Sequence, residues 1–359
     1  MPSRVIDYSP LSTPVSAAEI AAYRQAARAA GRSWSTVNVM QIVVVAIVAG
    51  GIAVFVLPTF VFGAFALLLE GGGASIMGGV MLLVTLGMLG GAVWLIVRTA
   101  RGGGSATWAR RVRMDRFARA NGMRYSPADP SPRYPGAIFS LGSSRMATDH
   151  FTTVEGRFVD FGNYRYTTGS GKNRSTRHWG FLAVELDRRL PHMMLDSKAN
   201  NGMFGTNLPA TFRRDQVLSL EGDFDRYFTL YCPRQYERDA LYVFTPDLMA
   251  LLIDEAAPFD VEVVDDWMFV YSSRPFPPGD ASAYARLLRI VDTVGTKAVR
   301  QTDRYHDERT MQPFAADIVA PQGQRLRRGV PVVAIVVGAV VVGYWVLSTF
   351  GGMLLGFLG

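Results

Sequence analysis

A single cysteine, Cys232, leaves no partner for an internal disulfide among the 359 residues, so a disulfide-stapled scaffold is excluded. Next to Pro233 it reads as a small buried apolar residue rather than a nucleophile. Histidines number four, His150, His178, His192 and His306. No pair has the i, i+4 spacing of a helical zinc site and no second cysteine can complete one, so no metal centre is expected. Nor is there a Gly-x-Ser-x-Gly elbow to carry a serine hydrolase. Charge is scarce as well, at 19% of residues against ~25% in ordinary soluble chains.

The scarcity is local. After Arg32 no charge appears until Glu70, none between Gly71 and Val97, and none from Gly329 to Gly359. Between Arg98 and Arg328 the 231 residues carry 33 basic and 27 acidic side chains, 60/231 or about 26%. The apolar stretches, about Val39 to Leu69, Ile76 to Val97 and Val330 to Leu358, each satisfy the ~20 residues a spanning helix needs, and predict three transmembrane helices. Glu70 to Ser75 then form the bend of a helical hairpin. Lys and Arg near spans stay on the cytoplasmic side. The N-terminal arginines, the run from Arg98 to Arg119 and Arg325 to Arg328 all fall on one side. The expected protein is therefore a multi-pass plasma-membrane protein with a cytoplasmic main domain and an extracytoplasmic C-terminus.

Four segments follow: an N-terminal tail, 1–38; a transmembrane hairpin, 39–97; a cytosolic domain with its C-terminal tether, 98–328; and a third span, 329–359. In the tail, Ser16 and Glu19 form a capping box for a helix to about Ala30. Ser105 caps a second, ended by Asn121-Gly122. Alternation from Phe158 to Tyr166 and from Trp179 to Leu186 around Gly169-Ser170-Gly171-Lys172 reads as a β-hairpin with a basic tip. A second hairpin is expected from Phe259 to Val264 and Trp267 to Ser272, turning at Asp265-Asp266. Further strands are expected at Tyr227 to Tyr231 and Leu241 to Phe244. Thr245 with Pro246, and Asp280, open two more helices. The fold class is an α+β cytosolic domain, with an antiparallel sheet and helices on one face, plus three transmembrane α-helices.

No catalytic, cofactor or metal residues emerge. Gly169 to Lys172 lack a glycine at Tyr166 and a Ser or Thr at Asn173, so a phosphate loop is not formed and a solvated turn is the reading. The acids Asp254, Glu255, Asp260, Glu262, Asp265 and Asp266 could serve general acid–base work only if they converged. Alternation instead puts Asp260 and Glu262 on a solvent face, with Val261 and Val263 inward. The better clue is basic charge. Arg98, Arg101, Arg110, Arg111, Arg113, Arg116, Arg325, Arg327 and Arg328 are the candidate contacts to anionic lipid headgroups, which attract such residues by about 1 kcal/mol each. No nucleic-acid motif accompanies them. Gly87-xxx-Gly91 and Gly352-xxx-Gly356 admit a homo-oligomer, though intrachain packing is the favoured reading of them.

Phe117-Ala118-Arg119-Ala120-Asn121-Gly122-Met123-Arg124-Tyr125, Leu190-Pro191-His192-Met193-Met194-Leu195-Asp196, and Phe224 to Tyr231 with Leu241 to Pro246 resemble an uncharacterised family of bacterial, mainly actinobacterial, multi-pass membrane proteins with a cytosolic α+β domain. The resemblance implies no activity and transfers no catalytic residue. The expectation is a non-enzymatic, membrane-anchored binding or scaffold module with an unidentified protein partner. The alternatives are a membrane-bound enzyme with an unrecognised site, or an accessory subunit of an envelope or export complex.

Overall fold

The structure, a computed structural model, describes residues 5–30, 57–70, 73–100, 105–130, 132–201, 206, 208, 212–302 and 319–327. Its chain divides into two units, Thr13–Arg113 and Met1–Ser12 with Met114–Gly359.

In the first unit, helix α1 (Ala17–Ala29) opens on the expected capping box. Ser16 Oγ accepts the Glu19 N–H while the Glu19 carboxylate accepts the Ser16 N–H at 2.9 Å. Tyr23 meets Trp108 edge-on, and the guanidiniums of Arg24 and Arg111 lie over that indole at 5.1 and 4.9 Å. Helices α2 (Leu57–Glu70) and α3 (Gly73–Ala100) follow, with Gly63 leaving room for Met81.

Among the described residues no helix is long and apolar enough to cross a membrane. This corrects the three transmembrane helices, and with them the multi-pass plasma-membrane placement of a cytoplasmic domain and an extracytoplasmic C-terminus. The 14 described residues of α2 rise about 21 Å, against a hydrocarbon core of ~30 Å. In α3 six glycines interrupt the apolar surface. Most of the first expected span, Val39 to Val56, and the third, Val330 to Leu358, lie outside the described residues.

The second unit is the α+β body. Its seven-stranded sheet comprises β1 (Met123–Pro130), β2 (Ser143–Thr153), β3 (Val159–Thr168), β4 (Ser175–Ser197), β5 (Val217–Leu218), β6 (Phe228–Tyr231) and β7 (Asp260–Ser272). The order is β1-β2-β3-β4-β6-β5, with β7 paired to β4, and every pairing is antiparallel. Pro127 and Pro130 lie in β1, an edge strand, where a missing N–H is tolerated. The β3–β4 hairpin forms as expected, with Gly169 and Gly171 at positive φ in its turn.

Successive residues of β4 face opposite layers. Leu182 and Val184 point to the helices, and Phe181 and Ala183 to a second core. The helical layer is α4 (Ser105–Ala120, from Met114 onward), α5 (Glu237–Val243), α6 (Pro246–Leu251), α7 (Ala281–Ile290) and α8 (Thr296–Thr302). Here Phe117 stacks on Tyr284 at 5.7 Å and meets Phe151 edge-on at 5.5 Å. Each such buried aromatic contributes roughly 1.5–3 kcal/mol. The opposite face is covered by the loop carrying Tyr134, Ile138 and Phe139, which packs on Tyr164, Phe181, Phe269 and Tyr271. The sheet is thus buried on both faces, helices on one and an aromatic loop on the other.

Two local expectations change and a third holds in part. Phe259 to Ser272 is not a hairpin, because β7 runs straight through Asp265, which adopts φ 53° at a bulge opposite β4. Leu241 to Phe244 ends helix α5 instead of forming a strand; Ala240, Val243 and Phe244 are buried at helical spacing while Leu241 and Tyr242 are exposed. Thr245 occupies the N-cap of α6, but its hydroxyl makes no capping bond. The Asp280 cap does form, its Oδ1 accepting the N–H groups of Ser282 and Ala283.

A second bulge, in β2 between Thr148 and Phe151, presses His150 against Gly162 of β3. A methyl group on Gly162 would overlap both Cα and Cβ of His150, and backbone cannot yield as a flexible side chain does. We expect Gly162→Ala to cost about 2–3 kcal/mol of stability. A urea unfolding midpoint equal to that of the parent protein would refute this.

Candidate functional site

The residues whose chemistry attracts attention are gathered into three buried clusters. In the first, Glu262 on β7 is 1% exposed and accepts three hydrogen bonds. They come from His192 Nε2 at 2.7 Å, the Tyr271 hydroxyl at 2.6 Å and the Ala137 N–H at 2.7 Å. His192 Nδ1 in turn accepts the N–H of Leu326 at 3.0 Å. With Nδ1 an acceptor, the ring proton sits on Nε2 and points at Glu262. Burial, then the Glu262 charge and bond, push the Tyr271 hydroxyl well above its usual range, so it stays a donor. The cluster joins β4, β7, the aromatic loop and the C-terminal strap 319–327.

The second cluster centres on Asp160 of β3, which holds His150 Nδ1 at 2.9 Å and the Tyr134 hydroxyl at 2.6 Å. Burial works against the charged His150 ring, but the bond to Asp160 and the charges of Asp160 and Asp129 prevail over Arg124, so His150 titrates above the ordinary histidine range. Burial and Asp160 also raise the Tyr134 hydroxyl. In the third cluster, Asp260 Oδ1 accepts the Ser197 N–H at 2.9 Å, and Asp196 accepts from Thr206 Oγ1 at 2.9 Å. Burial lifts Asp260 to about 7, with the Asp196 charge adding to it and bonds from Ser197 and Asn200 opposing it. Burial raises Asp196 too.

These positions correct the solvent-face reading of Asp260 and Glu262: they are 0% and 1% exposed, Glu262 beneath the aromatic loop, whose Ala137 N–H it accepts, and Asp260 against Ser197 at the end of β4. His192 lies within β4. The remaining acids do not converge. Asp254 is exposed, Glu255 lies 3.9 Å from Arg289, and Asp265 is bound by Arg325 through both oxygens at 3.1 and 2.9 Å. Among the described residues no group of three metal-ligating side chains occurs. Cys232 is buried, its thiol against the Pro233 and Tyr236 carbonyls.

The body's surface carries a different arrangement. A polar cleft of about 220 Å³ opens between the segment around Asp215–Gln216, the turn Pro233–Gln235 and the C-terminal strap, lined by Arg234, Arg325 and Arg327 with Asp215. Gln216 fixes the strap by bonding both the N–H and the carbonyl of Arg327, at 2.9 and 2.8 Å, so the Arg327 side chain is the part left exposed. Asp215 is held by Arg213 at 3.0 Å and its carbonyl accepts Arg234 Nε at 2.9 Å. Three arginines against one aspartate leave the lining at +2.

Two of the nine expected headgroup contacts, Arg325 and Arg327, therefore meet at one cleft, joined by Arg234, which sequence spacing does not reveal. Arg111 is buried against Trp108, and Arg110, Arg113 and Arg116 are half-buried on α4. The side chains of Arg98, Arg101 and Arg328 lie outside the described residues.

Fold and surface together define an α+β protein with internally braced polar clusters and an arginine-lined cleft. No family profile and no curated protein matches the chain. Among solved structures it is similar to the crystal structure of the mycobacterial trehalose monomycolate transport factor A, TtfA, at 13% identity and a TM-score of 0.34 over 54% of this chain and 91% of that one.

Proposed function

We propose that this protein is a non-catalytic accessory subunit of a cell-envelope or export assembly. The observation that carries the reading is how the acid–base side chains are used. Glu262, His192 and Tyr271 in one cluster, and Asp160, His150 and Tyr134 in another, brace strands and loops inside the core. A general acid or base must reach the proton it moves, and these groups face one another instead. The cleft offers mainly arginines and glutamines, groups that bind, and the carboxylate of its one acid, Asp215, is held by Arg213. Exposed Phe62, Phe65 and Leu69 on α2 and Ile76, Met77 and Leu83 on α3 suit a chain that completes its surface within an assembly.

The test is reciprocal affinity isolation of the full chain from its native cells at native expression. A partner of the envelope or export machinery recovered in fixed ratio from either end supports the reading. Elution of the full chain by itself at its 39.4 kDa monomer mass refutes it, as would saturable turnover of a small-molecule substrate.

A further inference from the structure

We infer that the cleft between the 213–216 segment, the Pro233–Gln235 turn and the C-terminal strap is a binding site for a phosphate-class oxyanion; the inference rests on the chain being a binding protein. Its lining contains two kinds of arginine. Arg325 is already committed, its terminal nitrogens divided between both oxygens of Asp265 and the Gln324 carbonyl. Its charge is therefore fixed in place as part of the wall. Arg234 is positioned by a single bond from Nε to the Asp215 carbonyl, and among the described residues its two terminal nitrogens have no acceptor. The Arg327 guanidinium has none either, while the backbone beneath it is clamped from both sides by Gln216.

That division matters because a guanidinium fork binds phosphate oxygens through paired N–H donors, and holding the fork in advance lowers the ordering cost. The one carboxylate in the lining does not compete strongly for these forks. Asp215 faces Arg213, with both its oxygens within 3.1 Å of that guanidinium. Gln216 is 6% exposed and fully engaged with the strap, so it sets the distance between Arg327 and the opposite wall.

Size selects among anions. Drug- and cofactor-sized ligands occupy pockets of roughly 300–1,000 Å³. At about 220 Å³ the cleft is smaller, and open to solvent on one side, which suits a single phosphoryl group whose remainder projects outward. The same group occurs on free phosphorylated molecules and on phospholipid headgroups, and the cleft chemistry is common to both. It also gives Arg325 and Arg327 the headgroup-contact role expected from sequence in a more specific form, with Arg234 as the added member.

The experiment titrates the full chain with inorganic phosphate at low salt by calorimetry, and sediments it with phosphatidylglycerol or phosphatidylcholine vesicles. Arg234→Gln and Arg327→Gln should each weaken phosphate binding about tenfold, and the double variant should abolish it. Arg174→Gln removes one charge from the exposed β3–β4 tip, away from the lining, and should change it less than about twofold. Sedimentation with phosphatidylglycerol alone, lost in the double variant and displaced by phosphate, identifies the headgroup as the source. Phosphate binding without sedimentation identifies a free phosphorylated molecule. Absence of saturable phosphate binding overturns the inference, as does weakening by Arg174→Gln equal to that of the cleft variants. Melting curves of the variants, expected to match the parent, separate lost binding from lost folding. A missing assembly partner would leave these results untouched, so the two proposals fail separately.

Discussion

Replacing Glu262 by alanine should lower the stability of the body by about 3–5 kcal/mol, and its melting temperature by roughly 10–15 °C. The magnitude follows from what the carboxylate leaves behind. Three donors, His192 Nε2–H, the Tyr271 hydroxyl and the Ala137 N–H, lose their acceptor in a region closed to water. Each buried donor without a partner costs about 1–3 kcal/mol. His192 cannot adapt by moving its proton, since Nδ1 is occupied by the Leu326 N–H. Glu262→Gln should lose less, because one oxygen remains for His192 and the Tyr271 hydroxyl can turn to accept from the new amide. The loss is also local in kind. Amide hydrogen exchange should accelerate first at Ala137 and Leu326, which hang on the cluster from two different segments. A Glu262→Ala protein that melts with the parent, or whose exchange rises evenly over the body, would show that the cluster is not the brace described.

The same residues show why part of this structure is legible in sequence and part is not. The β3–β4 hairpin could be read because alternation, two glycines and a short polar turn all point the same way. The Ser16 and Asp280 caps could be read because capping is a local chemistry. Glu262 was hidden by a tertiary fact. Alternation assigns one face of a strand to solvent, yet the aromatic loop Tyr134 to Phe139 closes that face, and polar residues on it become buried partners. One signal did exist: Glu262 stands in Val-Glu-Val-Val and His192 in Leu-Pro-His-Met-Met-Leu, polar residues inside runs apolar on both sides. Such runs mark strands covered twice. Leu241 to Phe244 went astray for the reverse reason, since its residue types favour strands while only helical spacing fits the burial of Ala240, Val243 and Phe244. The cleft arginines come from segments almost a hundred residues apart, 234 and 325–327, which one-dimensional spacing cannot join.

The cleft also depends on the braces behind it. Leu326, between Arg325 and Arg327, is buried and anchored through its N–H to His192, which Glu262 holds. Gln216 grips the neighbouring residue from the other side. Sequence supplies a histidine in β4 and a glutamic acid in β7; packing turns them into an anchor; the anchor presents arginines at the surface. Loss of Glu262 should therefore weaken phosphate binding at temperatures where the body is still folded.

Asp260→Asn should act in the opposite direction, stabilising the protein at alkaline pH and flattening its pH dependence. Asp260 is 0% exposed, and burial, aided by the Asp196 charge, lifts it from 3.8 to about 7. The folded state therefore binds a proton that the unfolded chain has released between about pH 4 and pH 7, and over that window stability falls as pH rises. At 1.36 kcal/mol per pH unit the full penalty above the folded value is roughly 4 kcal/mol, shared with Asp196 because the two carboxylates titrate together. Asparagine keeps the oxygen that accepts the Ser197 N–H and places an uncharged amide where Oδ2, which has no hydrogen-bond partner among the described residues, carries the charge. We expect the variant to exceed the parent by about 2–4 kcal/mol at pH 8, with the gap closing toward pH 4. Asp196, raised in the same direction, and His150, whose stabilising charge is lost as pH rises past its elevated range, leave a residual slope of the same sign. Denaturant unfolding of both proteins across this range distinguishes the outcomes: curves that converge at acid pH fit a buried acid ionised at a cost, and parallel curves would mean that Asp260 does not titrate in this window.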